Sequence, residues 1–144
     1  MQEYPGRLIA ITHRKTQIYW NRTLRQYDVT ASEIPVFLQL YREEGITQDE
    51  IAAKQALDKS AVTRILQSMS QKGFLERHKD AGDKRCNRIF LTEKGKSLYE
   101  PIQSAREKLN ARLLERMNES ERNELIRLLS IAADSIQSEK ENLN

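Results

Sequence analysis

A predicted β-hairpin between residues 77 and 95 constrains what this chain can fold into more than any other feature. Two extended runs, residues 76–79 and 88–91, flank a turn at residues 80–85 that is rich in Asp and Gly. Both residue types favour turns, because Gly tolerates positive φ and Asp hydrogen-bonds to nearby backbone. Lys84 and Arg85 lie at the tip, which touches no core, so their charge suits a phosphate-lined groove.

The composition indicates one soluble globular domain and argues against several other classes. The 144 residues are enough for a single core, and 38% hydrophobic with 31% charged residues argues against disorder. No run approaches the roughly 18 apolar residues of a membrane span, so we expect a cytoplasmic protein with no membrane partner. The single Cys excludes an internal disulfide and a Cys-based metal site.

Positive charge is concentrated in one part of the chain. Residues 59–90 carry eight Lys and Arg against three Asp and Glu, a net charge of +5. Residues 30–58 carry two against six, a net charge of −4. This distribution indicates an acidic partner for residues 59–90, with an ordinary solvated surface patch as the alternative.

The N-terminal half predicts a long helix followed by three shorter ones. Residues 6–27 carry apolar side chains on more than one face, as in a helix covered on several sides. The next helix has either Thr30, in a capping box with Glu33, or Ser32 as its N-cap, because Pro35 is harmless only in the first turn. A second capping box at residues 47–50 opens a short helix, and Asp58 caps a helix over residues 59–72 that Gly73 ends.

The C-terminal part predicts two long helices. Thr92 caps the first, which runs to about Met117, and Pro101 should kink it. Its apolar residues recur in steps of four and three like a coiled-coil seam: Leu98, Ile102, Ala105, Leu109 and Leu113. Asn118 caps the last helix, and we expect residues 139–144 to fray.

The helix over residues 59–72 predicts a surface that contacts DNA. One face is apolar, and the opposite face carries Ser60, Thr63, Arg64, Gln67 and Gln71. Such a face can offer hydrogen bonds to base edges in a major groove, with Arg64 suited to guanine. Thr47 and Gln48 lie at the start of the preceding helix, where free N–H groups favour a phosphate. Two short helices followed by a hairpin predict a winged helix-turn-helix, with phosphate contacts from Lys59, Lys84, Arg85 and Arg88.

These residues closely resemble the MarR family of winged helix-turn-helix regulators. The matching motifs are Thr47-Gln48-x-x-Ile51-Ala52, the run of residues 58–66, the exit at residues 72–77, and Asp83-x-Arg85-x-x-x-Ile89-x-Leu91-Thr92-x-x-Gly95. The last of these, the wing signature, is the most specific. The resemblance implies a mainly α fold with a small β-hairpin wing, in which residues 30–95 bind DNA. Residues 1–29 and 96–144 would form a helical dimerisation region.

The resemblance also implies a function and a set of partners. It implies a homodimeric, ligand-responsive repressor that binds double-stranded DNA at a pseudo-palindromic operator. Arg85 would enter a minor groove, and Asp83 would steady it by an ion pair. Family members often bind small aromatic or phenolic anions, for which His13, Gln17, Trp20 and Phe37 could line a pocket. Ordinary core packing is the alternative for each of these four residues.

Other functions find less support in the sequence. We find no nucleophile–base pair, phosphate-binding Gly loop or supported pair of acids, so we expect no enzyme, no catalytic residue and no cofactor. The two His lie in different elements without ligand spacing, so we expect no metal. A winged-helix protein-interaction module is one alternative. An oxidant sensor acting through Cys86, whose pKa Arg85 and Arg88 would lower, is another.

Overall fold

Helices make up most of the regular structure in the computed structural model, which describes residues 2–136. The elements in order are α1 (Pro5–Thr23), α2 (Ile34–Arg42), β1 (Ile46–Thr47), α3 (Gln48–Gln55), α4 (Lys59–Gln71), β2 (Leu75–Lys79), β3 (Asn87–Leu91), α5 (Glu93–Ser97), α6 (Tyr99–Leu114) and α7 (Glu119–Ser135). The succession α3, turn, α4 and hairpin is a winged helix-turn-helix, as predicted. The expected fraying of residues 139–144 lies outside the described residues. Among those described, no helix has the length and apolar character needed to span a membrane.

The chain divides into two compact units between Glu107 and Lys108. The first contains α1 to α5 and the sheet, and the second contains α7. The predicted regions, residues 30–95 for DNA binding and the residues on either side for dimerisation, are defined by function and not by compactness. The two compact units do not test them, so this division stays a prediction.

Helix α1 ends four residues earlier than predicted. After Thr23 the chain tightens into a 3-10 turn at Arg25–Tyr27, and Asp28 then adopts φ 59°. Asp tolerates this left-handed conformation better than most residues do. The turn places Leu24 and Val29 in the core, where both are buried.

The start of α2 shows how Thr30 can act as a cap although Pro35 follows five residues later. Thr30 caps a 3-10 turn at Ala31–Glu33, and its backbone N–H donates to Glu33 Oε1 over 2.8 Å. Helix α2 begins only at Ile34, so Pro35 lies in its first turn, where a missing N–H has no cost. The capping box at Thr30 is therefore confirmed.

The sheet has three strands in the order β1-β3-β2, all antiparallel. Leu75 pairs with Leu91 and Lys79 with Asn87, so the predicted hairpin is present with its turn at residues 80–86. Strand β1 was not predicted; Ile46 pairs with Ile89 and joins the hairpin to the end of α2.

The helix predicted from Thr92 to about Met117 is divided in two near the position where Pro101 is expected to kink it, and its second part ends at Leu114. Thr92 caps α5, and the helix is interrupted at Leu98 before α6 begins. Pro101 has no N–H to donate to the carbonyl of Ser97, which is where the interruption falls. In α5, Gly95 is packed so closely that a Cβ there would lie 2.2 Å from the carbonyl oxygen of Phe74.

The core of the first unit lies between the helices and the inner face of the sheet. Its largest fully buried apolar side chains are Leu24, Val36, Phe37, Leu40, Ile51, Val62, Leu66, Met69, Phe74, Ile89 and Ile102. The apolar face of α4 is therefore buried as the sequence predicts. This leaves its polar face to solvent.

The second unit contains the predicted Asn118 cap. Asn118 Oδ1 accepts from the backbone N–H of Glu121 over 2.8 Å, and the backbone N–H of Asn118 donates to Glu121 Oε1 over 3.0 Å. Helix α7 leaves several large apolar side chains exposed: Ile126, Leu128, Leu129 and Ile131.

Candidate nucleic-acid interface

The turn between α3 and α4 fixes the two helices of the helix-turn-helix. Ala56 takes φ 52° at the end of α3, and Asp58 then caps α4 by accepting from the backbone N–H of Ser60 over 3.1 Å. Across the pair, Gln48 Nε2 donates to Thr63 Oγ1 over 2.5 Å. This bond joins the N-terminal turn of α3 to the exposed face of α4.

The exposed face of α4 contains the predicted side chains. Lys59, Ser60, Thr63, Arg64 and Gln67 are all exposed. Thr63 donates to the carbonyl of Lys59 over 3.0 Å, and the Ser60 hydroxyl donates to Asp58. Within residues 2–136, the Arg64 guanidinium has no such partner. Arg64 therefore has the largest number of free donors on this face.

Lys59 lies at the edge of the same face. Its Nζ is 3.6 Å from Asp49 Oδ1, and both side chains are mostly exposed. An exposed pair of this kind is weak, so Lys59 remains available to a phosphate. Thr47 caps α3 and Gln48 follows it, so both predicted phosphate neighbours lie at the N-terminus of α3.

At the wing tip, the Arg85 guanidinium forms an ion pair with Asp83. The Arg85 side chain is 92% exposed, and its Nε donates to Asp83 Oδ1 over 3.3 Å. The backbone N–H of Arg85 donates to the same oxygen over 3.0 Å. These two bonds, the backbone one foremost, hold the pKa of Asp83 below its usual range. The ion pair implied by the family resemblance is thus present, and Lys84 beside it is exposed.

Arg88 is placed differently from the other predicted phosphate contacts. Its Nε donates to Asp80 Oδ1 over 2.8 Å, and its Nη1 donates to the carbonyl oxygen of Gly45 over 2.7 Å. The Arg88 hydrogen bond is also the main reason why the pKa of Asp80 lies below its ordinary value. Arg88 therefore bridges the first residue of the wing turn and the segment before β1. Its phosphate role stays a prediction, with two of its donors already engaged.

The thiol of Cys86 contradicts the expectation that nearby arginines lower its pKa. Partial burial and the negative charge of Asp83 instead raise the pKa, and Sγ lies 3.6 Å from Asp83 Oδ2. A raised pKa reduces the thiolate population at neutral pH, and the thiolate is the form that oxidants attack. The arginines therefore give no support to an oxidant sensor at this position, and that alternative stays a prediction.

Two exposed cations on the wing were missed as candidate contacts. Arg77 and Lys79 alternate along β2 with His78, so the two cations share one face of the strand. His78 points the other way, with its ring 5.0 Å from that of Phe90 and its Nε2 3.2 Å from Glu76 Oε1. The alternation of cations at residues 77 and 79 of a predicted strand was the sequence signal that could have identified both as exposed on one face.

The four predicted ligand-pocket residues occupy different environments. His13 is exposed, Gln17 is half-buried, and Trp20 is buried edge-to-face against Tyr19. Phe37 is 0% exposed, with its ring 5.3 Å from Phe74 and 5.9 Å from Tyr41. A ligand could reach Phe37 only after the surrounding core opened. The pocket stays a prediction.

No group of three or more His, Cys, Asp or Glu side chains that could hold a metal ion occurs in the part of the chain that the structure describes. The two His lie far apart in sequence, one on α1 and one on β2.

Comparisons with known proteins agree on one family. The family model described as the MarR family matches residues 27–85. An HTH-type transcriptional regulator of Bacillus subtilis (strain 168), YybA, is 26% identical over 93 residues, covering 65% of this chain and 62% of the relative. The chain thus matches about three fifths of that relative's length.

Solved structures extend the likeness over nearly the whole chain. A MarR transcriptional regulator from Methanosarcina mazei Go1 is 29% identical with a TM-score of 0.86, covering 92% of this chain and 96% of that one. A mutant MarR from E. coli, complexed with operator DNA, is 28% identical with a TM-score of 0.81, covering 88% and 91%. The similarity therefore includes the helix-turn-helix, the wing and the flanking helices.

Proposed function

Because the chain belongs to the MarR family of helix-turn-helix transcriptional regulators, we propose that it is a cytoplasmic repressor that binds double-stranded DNA as a homodimer. One observation carries this proposal: two differently placed arginines, Arg64 on α4 and Arg85 at the wing tip, are exposed on the same winged helix-turn-helix. A helix fits a major groove, and an Arg on a projecting wing suits a narrow minor groove.

The two arginines would have different roles. Arg64, with no partner among the described residues, would form a bidentate contact to a guanine and so contribute specificity. Arg85 would contribute affinity through phosphates and the minor groove, with Asp83 limiting its motion. Lys59, Lys84 and the N-terminus of α3 would add phosphate contacts that carry little sequence information.

The exposed apolar side chains support the homodimer. In the first unit, α1 leaves Leu8, Ile9 and Ile18 about half exposed, and in the second unit Ile126 of α7 is 58% exposed. Large apolar side chains left in water on helices mark surfaces that another chain covers. A two-fold dimer would place its recognition helices in successive major grooves, about 34–36 Å apart.

A small ligand would release the DNA in this proposal. A related structure, PcaV from Streptomyces coelicolor, is described in complex with its natural ligand and shares the fold at 20% identity. A ligand that binds one spacing of the two recognition helices better than another would shift the population towards that spacing. His13, Gln17 and Trp20 are the candidate lining residues, and the aromatic or phenolic anion is the candidate class.

Two substitutions test the assignment of roles. The operator duplex is first selected with the wild-type protein from a library of random duplexes, and a scrambled duplex serves as the reference. Arg64→Ala should cost roughly 1–3 kcal/mol on the selected duplex and clearly less on the scrambled one. Arg85→Ala should weaken binding to both duplexes and reduce the slope of log affinity against log salt by about 0.9.

The control is Arg42→Ala, which removes the same charge from an exposed position at the end of α2. It should leave the selectivity unchanged. Equal losses for Arg64→Ala on both duplexes would make Arg64 a phosphate contact. If no duplex is enriched and binding does not depend on salt, sequence-specific DNA binding is refuted. The alternative is then a winged-helix module that binds another protein.

A further inference from the structure

A buried carboxylate lies beneath the C-terminal end of α4. Glu33 is 1% exposed, and its Oε1 accepts from Lys72 Nζ over 3.0 Å. The same oxygen accepts from the backbone N–H of Thr30, and Oε2 lies 3.4 Å from Ser68 Oγ. Ser68 and Lys72 are one helical turn apart, so the carboxylate contacts a single face of the α4 end.

Lys72 also connects the C-terminal end of α4 to Asp28, which lies between α1 and α2. Its Nζ donates to the carbonyl oxygen of Asp28 over 2.8 Å and lies 3.9 Å from Asp28 Oδ1. The Lys72 side chain is only 19% exposed. The ammonium therefore joins the C-cap of α4 to the middle and to the last residue of the segment between α1 and α2.

The segment is in turn held to α1. The backbone N–H of Ala31 donates to Asn21 Oδ1, near the C-terminal end of α1, over 2.7 Å. One hydrogen bond joins Asn21 to Ala31, the backbone continues from Ala31 to Glu33, and a second hydrogen bond joins Glu33 to Lys72. They connect α1 with the helix that carries Arg64.

The energetics of this pair indicate an orienting role. Removing two charges from water offsets most of their attraction, so a buried ion pair contributes little net stability compared with an apolar pair. Its hydrogen bonds are directional, whereas the apolar contacts beneath α4 are not. Such a pair defines one angle and register for the helix above it.

We propose that Glu33 and Lys72 are positioning residues that fix the orientation of α4 and thereby the selectivity of DNA binding. This inference rests on the proposed function. Neither side chain touches DNA in it; both act through the orientation of Arg64 and its neighbours.

The test compares three variants, Glu33→Gln, Lys72→Met and the double variant, on the selected and scrambled duplexes. The measured quantity is the ratio of the two affinities, taken below the unfolding transition of the least stable variant. We expect each single variant to lower this ratio about tenfold. Glu33→Gln raises the net charge by one and Lys72→Met lowers it by one, so a simple charge effect would move the scrambled-duplex affinity in opposite directions.

The double variant separates orientation from stability. It leaves no unpaired buried charge, so its thermal stability should recover towards wild type while its selectivity stays low. It also carries the test if a single variant does not fold. The matched control is Lys54→Met, which breaks an exposed ion pair with Glu43 in the same helix-turn-helix and should keep the wild-type ratio.

Two results would overturn the inference. One is a wild-type ratio in the folded variants; the other is a ratio that the double variant restores together with stability, which would make the pair merely structural. A wild-type protein that does not distinguish the two duplexes would refute the proposed function itself. The inference would then fail with it.

Discussion

At the scale of the residue, similar side chains differ in what their neighbours leave them free to do. From the sequence, Arg64, Arg85 and Arg88 are all expected to contact DNA directly. In the structure Arg64 has no partner among the described residues, Arg85 is paired but 92% exposed, and Arg88 bridges two parts of the protein. The neighbours therefore leave the three arginines with different numbers of donors free for DNA.

Arg88 should act mainly on the wing. Arg88→Met removes the bridge between Asp80 and Gly45 but keeps a long apolar stem. We expect faster hydrogen exchange at the backbone amides of Gly45 and Asp80, both of which close the wing sheet, together with weaker DNA binding.

Arg88→Lys distinguishes the bridge from a phosphate contact. Lys keeps the charge but lacks the forked donors that reach two acceptors at once. It should therefore behave like Arg88→Met in hydrogen exchange. Wild-type exchange and affinity in Arg88→Lys would mean that only the charge matters and that Arg88 contacts DNA.

At the scale of the element, helix ends could be predicted from the sequence because caps are local. The boxes at Thr30, Thr47 and Asn118 each satisfy N–H groups within four residues, and all three occur as predicted. Strand β1 could not be predicted, because two residues carry no periodicity and pair with β3 more than forty residues away. The Arg88 bridge and the Glu33–Lys72 pair were missed for the same reason.

The turn between α3 and α4 contains a strained residue. Ala56 is exposed with φ 52°, a conformation that costs Ala more than Gly. Ala56→Gly should therefore raise the free energy of unfolding by about 0.5–1 kcal/mol, measured by chemical denaturation. Ala53→Gly, at an exposed interior position of α3, should instead lower it by about 1 kcal/mol. Destabilisation of the same size in both variants would contradict this account of the turn.

At the scale of the whole molecule, helices α1 and α7 each expose large apolar side chains to water. From the sequence, an apolar surplus is expected on the first helix and along the seam from Leu98 to Leu113. The structure exposes apolar side chains on α1 as expected, but it buries Leu98, Ile102 and Ala105 of the seam within one chain and exposes those of α7 instead. The surface that a second copy would cover could not be predicted, because contacts across a two-fold axis join positions on different copies.

Ile126→Glu should dissociate the proposed dimer without unfolding the chain, because Ile126 is exposed within a single chain. Light scattering after size exclusion should give a mass near the 16.8 kDa of one chain for the variant and twice that for wild type. Ser120→Glu adds the same charge at the start of α7 and should remain dimeric. A wild-type protein of monomer mass would refute the homodimer.

The most direct test of the account is fluorescence anisotropy of the wild-type protein with the selected and scrambled duplexes at two salt concentrations. We predict tighter binding to the selected duplex at both concentrations and a steep loss of affinity for both duplexes as salt rises. Equal affinities for the two duplexes, or affinities that salt does not change, would contradict sequence-specific DNA binding by this protein.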